Sequence, residues 1–562
     1  MSDIIYCSGP LVCTNEDFLG GGTYGYVYVD KNNNAVKIYN TKVHRNDYGF
    51  NSSMIRELSS MCLLQSEHNF VPRIFAVYLE NTSIRRHGFS MKKYDRTVDN
   101  LIMRKIFDVK QLKNVIYSIT LCLAHAQKNL LLHRDIKPSN ILINDNYDVT
   151  VTDWGLSLVK YSGSVIKNTA TVQSLWYRAP EHLLLNIDEM NNDTMDMWSV
   201  GIMMIEMITN YIGIIGGDSE ASTLLKLIEC LGFPTDKKMV QLLDKHYNIN
   251  KKSYYNININ YIRDTCDLFC ISDDCDDCID FITKLLQWSP SDRLDPISAL
   301  KHPYLFSLYK DDQIKYPDIY NFHSRYSTVL SQFDDSFSYK MNISKIKSLN
   351  ANYLLMRGTY VSAYTSIQRN ENMTINELIL MILYTDKLMS SCAFTLNLKQ
   401  RKIFMIFIAN IISILFCDEH ISLQNLNDNI MIFNEIIKHE EISQYANTIL
   451  PILSFPLMTI TFASYSVALT RYHESITKLY EDICFDIIKK CDYMEYEHKE
   501  IFGSILNYMR IFSYKDDKLF ISFDNVLEEL YYAYPKKFDI HCPNIPRKIK
   551  FANGYIFSKC HI

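Results

Sequence analysis

Asp135, Lys137 two residues on, Asn140 five residues on and, after a short apolar strand ending at Val151-Thr152, Asp153 make an ordered set that suits phosphoryl transfer. That reaction offers a protein little covalent chemistry, so catalysis consists of positioning and charge stabilisation. Asp135 can orient an attacking hydroxyl and accept its proton. Lys137 can neutralise the moving phosphoryl, while Asn140 and Asp153 offer hard oxygen ligands for magnesium. A merely polar loop between two strands would not require this order of residue types.

Such a set needs a phosphate cradle upstream. Leu19 to Val29 reads as a strand, a glycine turn and a return strand, with Gly20, Gly22 and Gly25 in G-x-G-x-x-G spacing followed by Val27. Glycine suits a turn whose backbone must approach phosphates closely. A dinucleotide-binding turn shares the spacing, but there a helix follows and here a second strand does. With His133-Arg134-Asp135 and Asp153-Trp154-Gly155 downstream, the sequence resembles a eukaryotic-type protein kinase.

The resemblance implies an α+β, two-lobed fold with a β-rich small lobe and a helical large lobe, using ATP and Mg²⁺. It implies that Lys37, in the strand Ala35-Val36-Lys37-Ile38, holds the α- and β-phosphates, and that Val27 and Ala35 cover the adenine. The hinge falls at Met91-Lys92-Lys93-Tyr94, with Met91 as gatekeeper; Tyr94 and Leu142 complete the nucleotide site. An acidic residue is usual where Lys92 stands. Lys37 needs a carboxylate, and the stretch Asn51-Ser52-Ser53-Met54-Ile55-Arg56-Glu57 is similar to the PSTAIRE helix of cyclin-dependent kinases, which makes Glu57 the partner. Asn51 is a sound N-cap, and Met54, Leu58 and Met61 form one apolar row. The plain alternative is a surface helix whose Lys–Glu pair contributes little.

Trp154 departs from the usual phenylalanine and carries an N–H that needs a partner, which should hinder an outward flip of the turn. The segment from Asp153 to Ala179-Pro180-Glu181 ends in Ser174-Leu175-Trp176-Tyr177-Arg178, close to the family's Thr-Leu-Trp-Tyr-Arg. Thr169 falls where an activating phosphothreonine sits. Arg56 and Arg134 match two of the three arginines that hold such a phosphate, and Leu158 stands at the third position. Thr23 and Tyr24 match inhibitory phosphosites, or are simply turn residues. Asp196 matches the residue that braces the catalytic loop, Glu181 and Arg293 match a buried ion pair, and Leu231-Gly232-Phe233-Pro234-Thr235 resembles a turn of the proline-directed kinases. The resemblance covers residues 13–310. It implies protein substrates with Ser/Thr-Pro: Ser/Thr because tyrosine kinases lack a residue like Lys137 in the catalytic loop, and Pro through Arg178 and the Trp-Tyr-Arg turn.

Composition bounds the remainder. The chain of 562 residues is 48% hydrophobic and 22% charged, with net charge −5. This fits a globular protein of several domains and gives no general attraction to nucleic acid or anionic membrane. Fifteen scattered cysteines and no basic leader at Met1-Ser2-Asp3-Ile4-Ile5 fit a reducing, intracellular location, cytoplasm or nucleus. Heavy use of Asn, Ile, Lys and Tyr fits an AT-rich genome such as that of a large DNA virus or a protist. Cys266, Cys270, Cys275 and Cys278 could ligate zinc, but the apolar residues after Cys278 favour buried thiols. The run Ile403–Cys417 is too short to cross a bilayer and is broken by Asn410, so a buried helix is expected.

Residues 311–345 are polar and weakly periodic, a linker. From residue 346 to 480 the pattern is helical, with long apolar stretches at Met373–Ser390, Lys402–Glu419 and Gln444–Phe455, so an all-α bundle follows the kinase lobes. Tyr384-Thr385-Asp386-Lys387, Lys402 with the trailing Asp418-Glu419, and Ile452-Leu453-Ser454-Phe455-Pro456-Leu457 resemble parts of a cyclin box. A cyclin pairs that lysine with a glutamate, and Ala446 stands in its place. Residues 481–562 read as a helical extension and a tail. The expectation is a Ser/Thr protein kinase of the cyclin-dependent type whose own C-terminal domain packs on the Glu57 helix. Two alternatives stay open: a kinase-fold scaffold without activity, and an active kinase whose C-terminal bundle serves docking or assembly.

Overall fold

The computed structural model describes residues 5–453 and Cys484, leaving out 8–16, 23–24, 40–49, 66–69, 80–86, 105–108, 130, 147, 160–171, 186–191, 250–263, 265–274, 309–350, 392–395, 417–420 and 431–435. Thr23, Tyr24, Thr169, Cys266, Cys270, the expected linker and, Cys484 apart, the expected extension therefore lie outside the described residues.

The N-terminal part is a six-stranded sheet in the order β1-β5-β6-β4-β3-β2. Its strands are β1 (Ile5–Cys7), β2 (Phe18–Gly21), β3 (Gly25–Val29), β4 (Ala35–Tyr39), β5 (Ile74–Leu79) and β6 (His87–Met91). All pairings are antiparallel except β1 with β5. In register, β4 sets Lys37 opposite Val27 on β3 and Ala35 opposite Met91 on β6. Gly25 faces Tyr39 across that ladder, and a Cβ there would lie 2.2 Å from the Ile38 carbonyl oxygen. Strand packing therefore dictates glycine at this position, whereas Gly20 and Gly22 have open space beside them.

Helix α1 (Ser52–Leu64) starts on Asn51, whose side chain accepts from the Ser53 and Met54 amides at 2.9 and 3.3 Å. Met54, Leu58 and Met61 are fully buried, but so are Ile55, Arg56, Glu57, Ser59 and Ser60 on the other faces. That overturns the surface-helix alternative. The strands β7 (Arg96–Thr97), β9 (Ile141–Ile143) and β10 (Val149–Val151) form a small sheet, and β8 (Leu131–Leu132) pairs with β11 (Leu158–Val159). Around them lie helices α2 (Val98–Arg104), α3 (Val109–Lys128), α4 (Pro180–Leu183), α5 (Met195–Thr209), α6 (Glu220–Leu231) and α7 (Lys237–Tyr247). Helices α8 (Cys275–Leu285), α9 (Pro296–Leu300) and α10 (Pro303–Phe306) complete this lobe. Cys278 is a buried free thiol, and among the described residues no cluster of three metal-ligating side chains occurs.

Among the described residues five further helices follow: α11 (Ala351–Asn370), α12 (Ile375–Ser391), α13 (Leu398–Phe416), α14 (Leu423–Asn429) and α15 (His439–Leu453). The observed α13 begins before the expected Lys402 because Asn397 and Gln400 cap its start reciprocally, at 2.8 and 3.0 Å. Every residue of α13 from Lys402 to Phe416 is buried, the mark of a helix enclosed by protein on all sides. Among the described residues no helix is long and apolar enough to cross a membrane. It packs on α12 and α15 and, on its remaining side, on α1 and β11. Arg357 on α11 grips Asp386 on α12 with two hydrogen bonds of 2.9 and 2.8 Å, both residues buried. Lys402 donates to the Asn427 carbonyl at 3.3 Å.

Candidate active site

β4 delivers Lys37 to the floor of the cleft between the sheet and the helical lobe. Its ammonium donates to Glu57 Oε2 at 2.6 Å and to Asp153 Oδ1 at 2.7 Å. Burial works against the lysine's charge, but Asp153 and Glu57 outweigh it and hold the pKa above the ordinary lysine value. Asp153 is also penalised by burial, and Lys37 nevertheless keeps its carboxyl below the usual range. The Lys–Glu pair is thus a desolvated one in which neither partner can be lost cheaply.

The catalytic loop is held from beneath. Asp196, near the start of α5, accepts from the His133 and Arg134 amides at 2.8 and 2.9 Å, which fixes the peptide run leading into Asp135. Arg134 adopts a left-handed backbone at φ 65°, a cost tolerated where the surroundings dictate it. Asp135 Oδ1 accepts from the Ser174 amide and hydroxyl at 3.0 and 2.8 Å, and Oδ2 accepts from Lys137 at 2.7 Å and Asn140 at 3.2 Å. Lys137 also donates to Ser174 Oγ at 2.9 Å. The segment ending at Arg178 is thereby tied to Asp135 at Ser174, a contact that the place of Ser174 before Leu-Trp-Tyr-Arg did not disclose.

Asn140 gives its amide nitrogen to the Asp135 carbonyl at 2.8 Å, so its oxygen is the atom left for a cation. Asp153, in the left-handed region at φ 63°, keeps 27% of its side chain open to the cleft. Three carboxylates (Glu57, Asp135, Asp153) face two ammonium groups, a net negative balance that a divalent cation offsets. Magnesium takes one or two protein oxygens and fills its shell from water and phosphate, so Asn140 and Asp153 fit it. Trp154 is fully buried, donates to the Val151 carbonyl at 3.1 Å and sets its ring edge-on to His133. The indole N–H thus has its partner with the turn facing inward.

Of the residues expected at the nucleotide, Val27 on β3, Ala35 on β4 and Met91 ending β6 lie on adjoining strands, and Leu142 lies in β9 of the smaller sheet. Lys92 stacks its ammonium over the Tyr94 ring at 5.1 Å. Arg134 Nε donates to the Leu156 carbonyl at 2.7 Å. Arg56, assigned in sequence to a phosphate, sends its Nε 3.2 Å to the carbonyl of Ile414 at the end of α13. Leu158, at the third arginine position, is buried within β11 beside Leu132. Tyr39, whose hydroxyl donates to Glu57 Oε2, was missed altogether. Glu181 and Arg293 form a doubly hydrogen-bonded, wholly buried pair at 3.0 Å on each arm.

Comparison with known proteins agrees with this geometry. The chain is 28% identical over 310 residues to cyclin-dependent kinase 11 of Dictyostelium discoideum, covering 53% of this chain and 80% of that protein. It is 28% identical over 297 residues to cell division control protein 2 homolog 3 of Trypanosoma brucei brucei, covering 51% and 90%. The serine/threonine-protein kinase ppk23 of Schizosaccharomyces pombe is 29% identical over 290 residues, covering 51% and 70%. A family profile described as protein kinase domain matches residues 13–305, more than half of the molecule, and the chain belongs to that family.

Proposed function

We propose that this chain is an active Ser/Thr protein kinase that transfers the γ-phosphoryl group of ATP to Ser or Thr followed by proline. The observation that carries the activity is Lys37 closed between Glu57 and Asp153, with Asp135 braced for a hydroxyl. Asp153 and Asn140 would hold magnesium, whose charge would offset that of the phosphates. Asp135 would accept the hydroxyl proton, and Lys137 would draw charge from the phosphoryl in flight. A scaffold would have no use for so many mutually satisfied polar groups in one cleft.

The proline preference has its own support. Gln173 sits in the left-handed region at φ 64°, held by hydrogen bonds of its amide to Ser199 and Ala179 at 2.9 and 3.0 Å. The Val172 and Gln173 carbonyls both accept from Arg178, at 2.9 and 3.2 Å. They are therefore engaged, rather than offered to the N–H of the substrate residue after the target. An amide left unmatched there costs about 1–3 kcal/mol, and proline has no N–H to leave unmatched. The full chain with MgATP should phosphorylate a Ser-Pro peptide with kcat/KM about tenfold or more above Ser-Ala, by the same estimate. Equal rates remove the proline preference; no transfer to either peptide removes the kinase reading.

Regulation follows from the same contacts. We assign α11–α15 to a cyclin-like domain that holds α1 in its working position within one chain. Support comes from the packing of α13 on α1 and the edge-to-face contact of Phe50 with Phe407, centroids 6.2 Å apart. Thr169 would be phosphorylated in the active protein, with a modest effect, because Arg56 already has a carbonyl acceptor and Leu158 supplies no charge. Thr169→Ala is expected to lower kcat/KM by about tenfold, the low end for one charge-assisted hydrogen bond. Intact-mass measurement showing active protein unmodified at Thr169, with unchanged kinetics for the variant, removes that role.

A further inference from the structure

We infer that Tyr39 is a positioning residue for phosphoryl transfer, acting through Glu57 to set the place of Lys37. The inference rests on the kinase reading above. Tyr39 follows Lys37 by two residues on β4, so both side chains leave the same face of the sheet toward α1. Its hydroxyl donates to the same Glu57 oxygen, Oε2, that receives the Lys37 ammonium. The Lys37 ammonium also lies 5.4 Å from the centre of the Tyr39 ring, within cation–π range. The ring is 2% exposed and packs on Phe89, centroids 6.2 Å apart.

The need for such a residue lies in the division of Lys37. Its ammonium is shared between Glu57 and Asp153 at nearly equal distances, 2.6 and 2.7 Å, so Lys37 alone does not fix where Glu57 sits. Glu57 is fully buried, and its other oxygen, Oε1, has no hydrogen-bond partner among the described residues. A carboxylate anchored through one atom by a shared cation is free to swing about its terminal torsion, which is broad. A second, neutral donor on Oε2 removes that freedom. When Lys37 turns toward phosphate, Tyr39 stays on Glu57 and keeps the anchor in place. The hydroxyl remains a donor, because burial, together with Glu57, pushes the Tyr39 pKa well above its ordinary value. The groups facing Glu57 are thus Lys37 and Tyr39 from β4 and Asp153 from the turn beyond β10.

A double-mutant cycle on the full chain tests this: Tyr39→Phe, Glu57→Gln and both together, with Tyr39→Leu as a packing control. Phenylalanine keeps the ring on Phe89 and removes only the donor. Tyr39→Phe should lower kcat/KM for ATP by about tenfold, the range for a hydrogen bond to a charged group, at an unchanged melting temperature. In the Glu57→Gln background the same change should cost less, because a carboxamide oxygen accepts from the hydroxyl more weakly than a carboxylate does. If Tyr39→Phe is harmless, or its effect is undiminished beside Glu57→Gln, Tyr39 serves packing and the inference is overturned. MgADP affinity, measured by calorimetry on the same four proteins, reads the cycle without any transfer step. Should the wild type phosphorylate nothing, the kinase reading fails while the MgADP cycle still decides the place of Tyr39.

Discussion

Asp135→Asn should lower turnover by about 10²–10⁴-fold, the contribution of a positioned general base, with little change in KM for ATP. Asp135 receives four donors, two on each carboxylate oxygen: Ser174 amide and hydroxyl on one, Lys137 and Asn140 on the other. Asparagine offers one oxygen, so two of these donors meet an NH₂ group instead. The loss is therefore double, in proton affinity and in the ties that hold Lys137 and the activation segment at the base. Steady-state rates beside thermal melts separate the two effects. A variant as active as the parent would show that Asp135 is not the base.

The second large effect concerns the contact between the two halves of the chain. Introduce a protease site within 311–345 and cut the purified protein. The cut protein should keep its activity when concentrated and lose about 100-fold on dilution, because a tether supplies an effective concentration on the order of millimolar. A hundredfold loss corresponds to a working position of α1 populated to only about 1% when the partner leaves. Phe407→Ala, which removes the ring set against Phe50, should make the loss appear at higher protein concentration. Cut protein with full activity at every dilution would leave the kinase half self-sufficient and assign the C-terminal helices to another task.

The catalytic loop was legible because transfer of a phosphoryl group demands particular side chains in a particular order, and Asp135, Lys137, Asn140 and Asp153 satisfy that demand locally. The helix bearing Glu57 was legible from its cap at Asn51 and its apolar row. What local pattern conceals is the second partner of a known residue. Arg56 was read toward a phosphate, but its Nε meets a carbonyl 358 residues away, which no spacing rule reveals. Tyr39 was not singled out, since sequence alternation gives a face but not an acceptor. Asp386 was read only as part of a resemblance to a cyclin box, and its buried partner, Arg357, lies 29 residues earlier on another helix. Gly25 was assigned to phosphate approach, whereas the closeness of the Ile38 carbonyl already excludes any Cβ there.

The near-complete enclosure of α1 has a consequence for the order in which the molecule is made. A helix of 13 residues is marginal on its own, and one of the elements that covers it is a helix encoded hundreds of residues later. Synthesis proceeds at about 5–20 residues per second, so the interval between Arg56 and Ile414 is roughly 20–70 s. Throughout that interval the nascent chain carries a finished catalytic loop and an unclosed apolar groove beside Glu57. On the proposal that α13 holds α1 in its working position, phosphorylating power arrives only when the ribosome has passed α13. On the same proposal, a message truncated between the two halves would yield an idle kinase half in place of an unrestrained one.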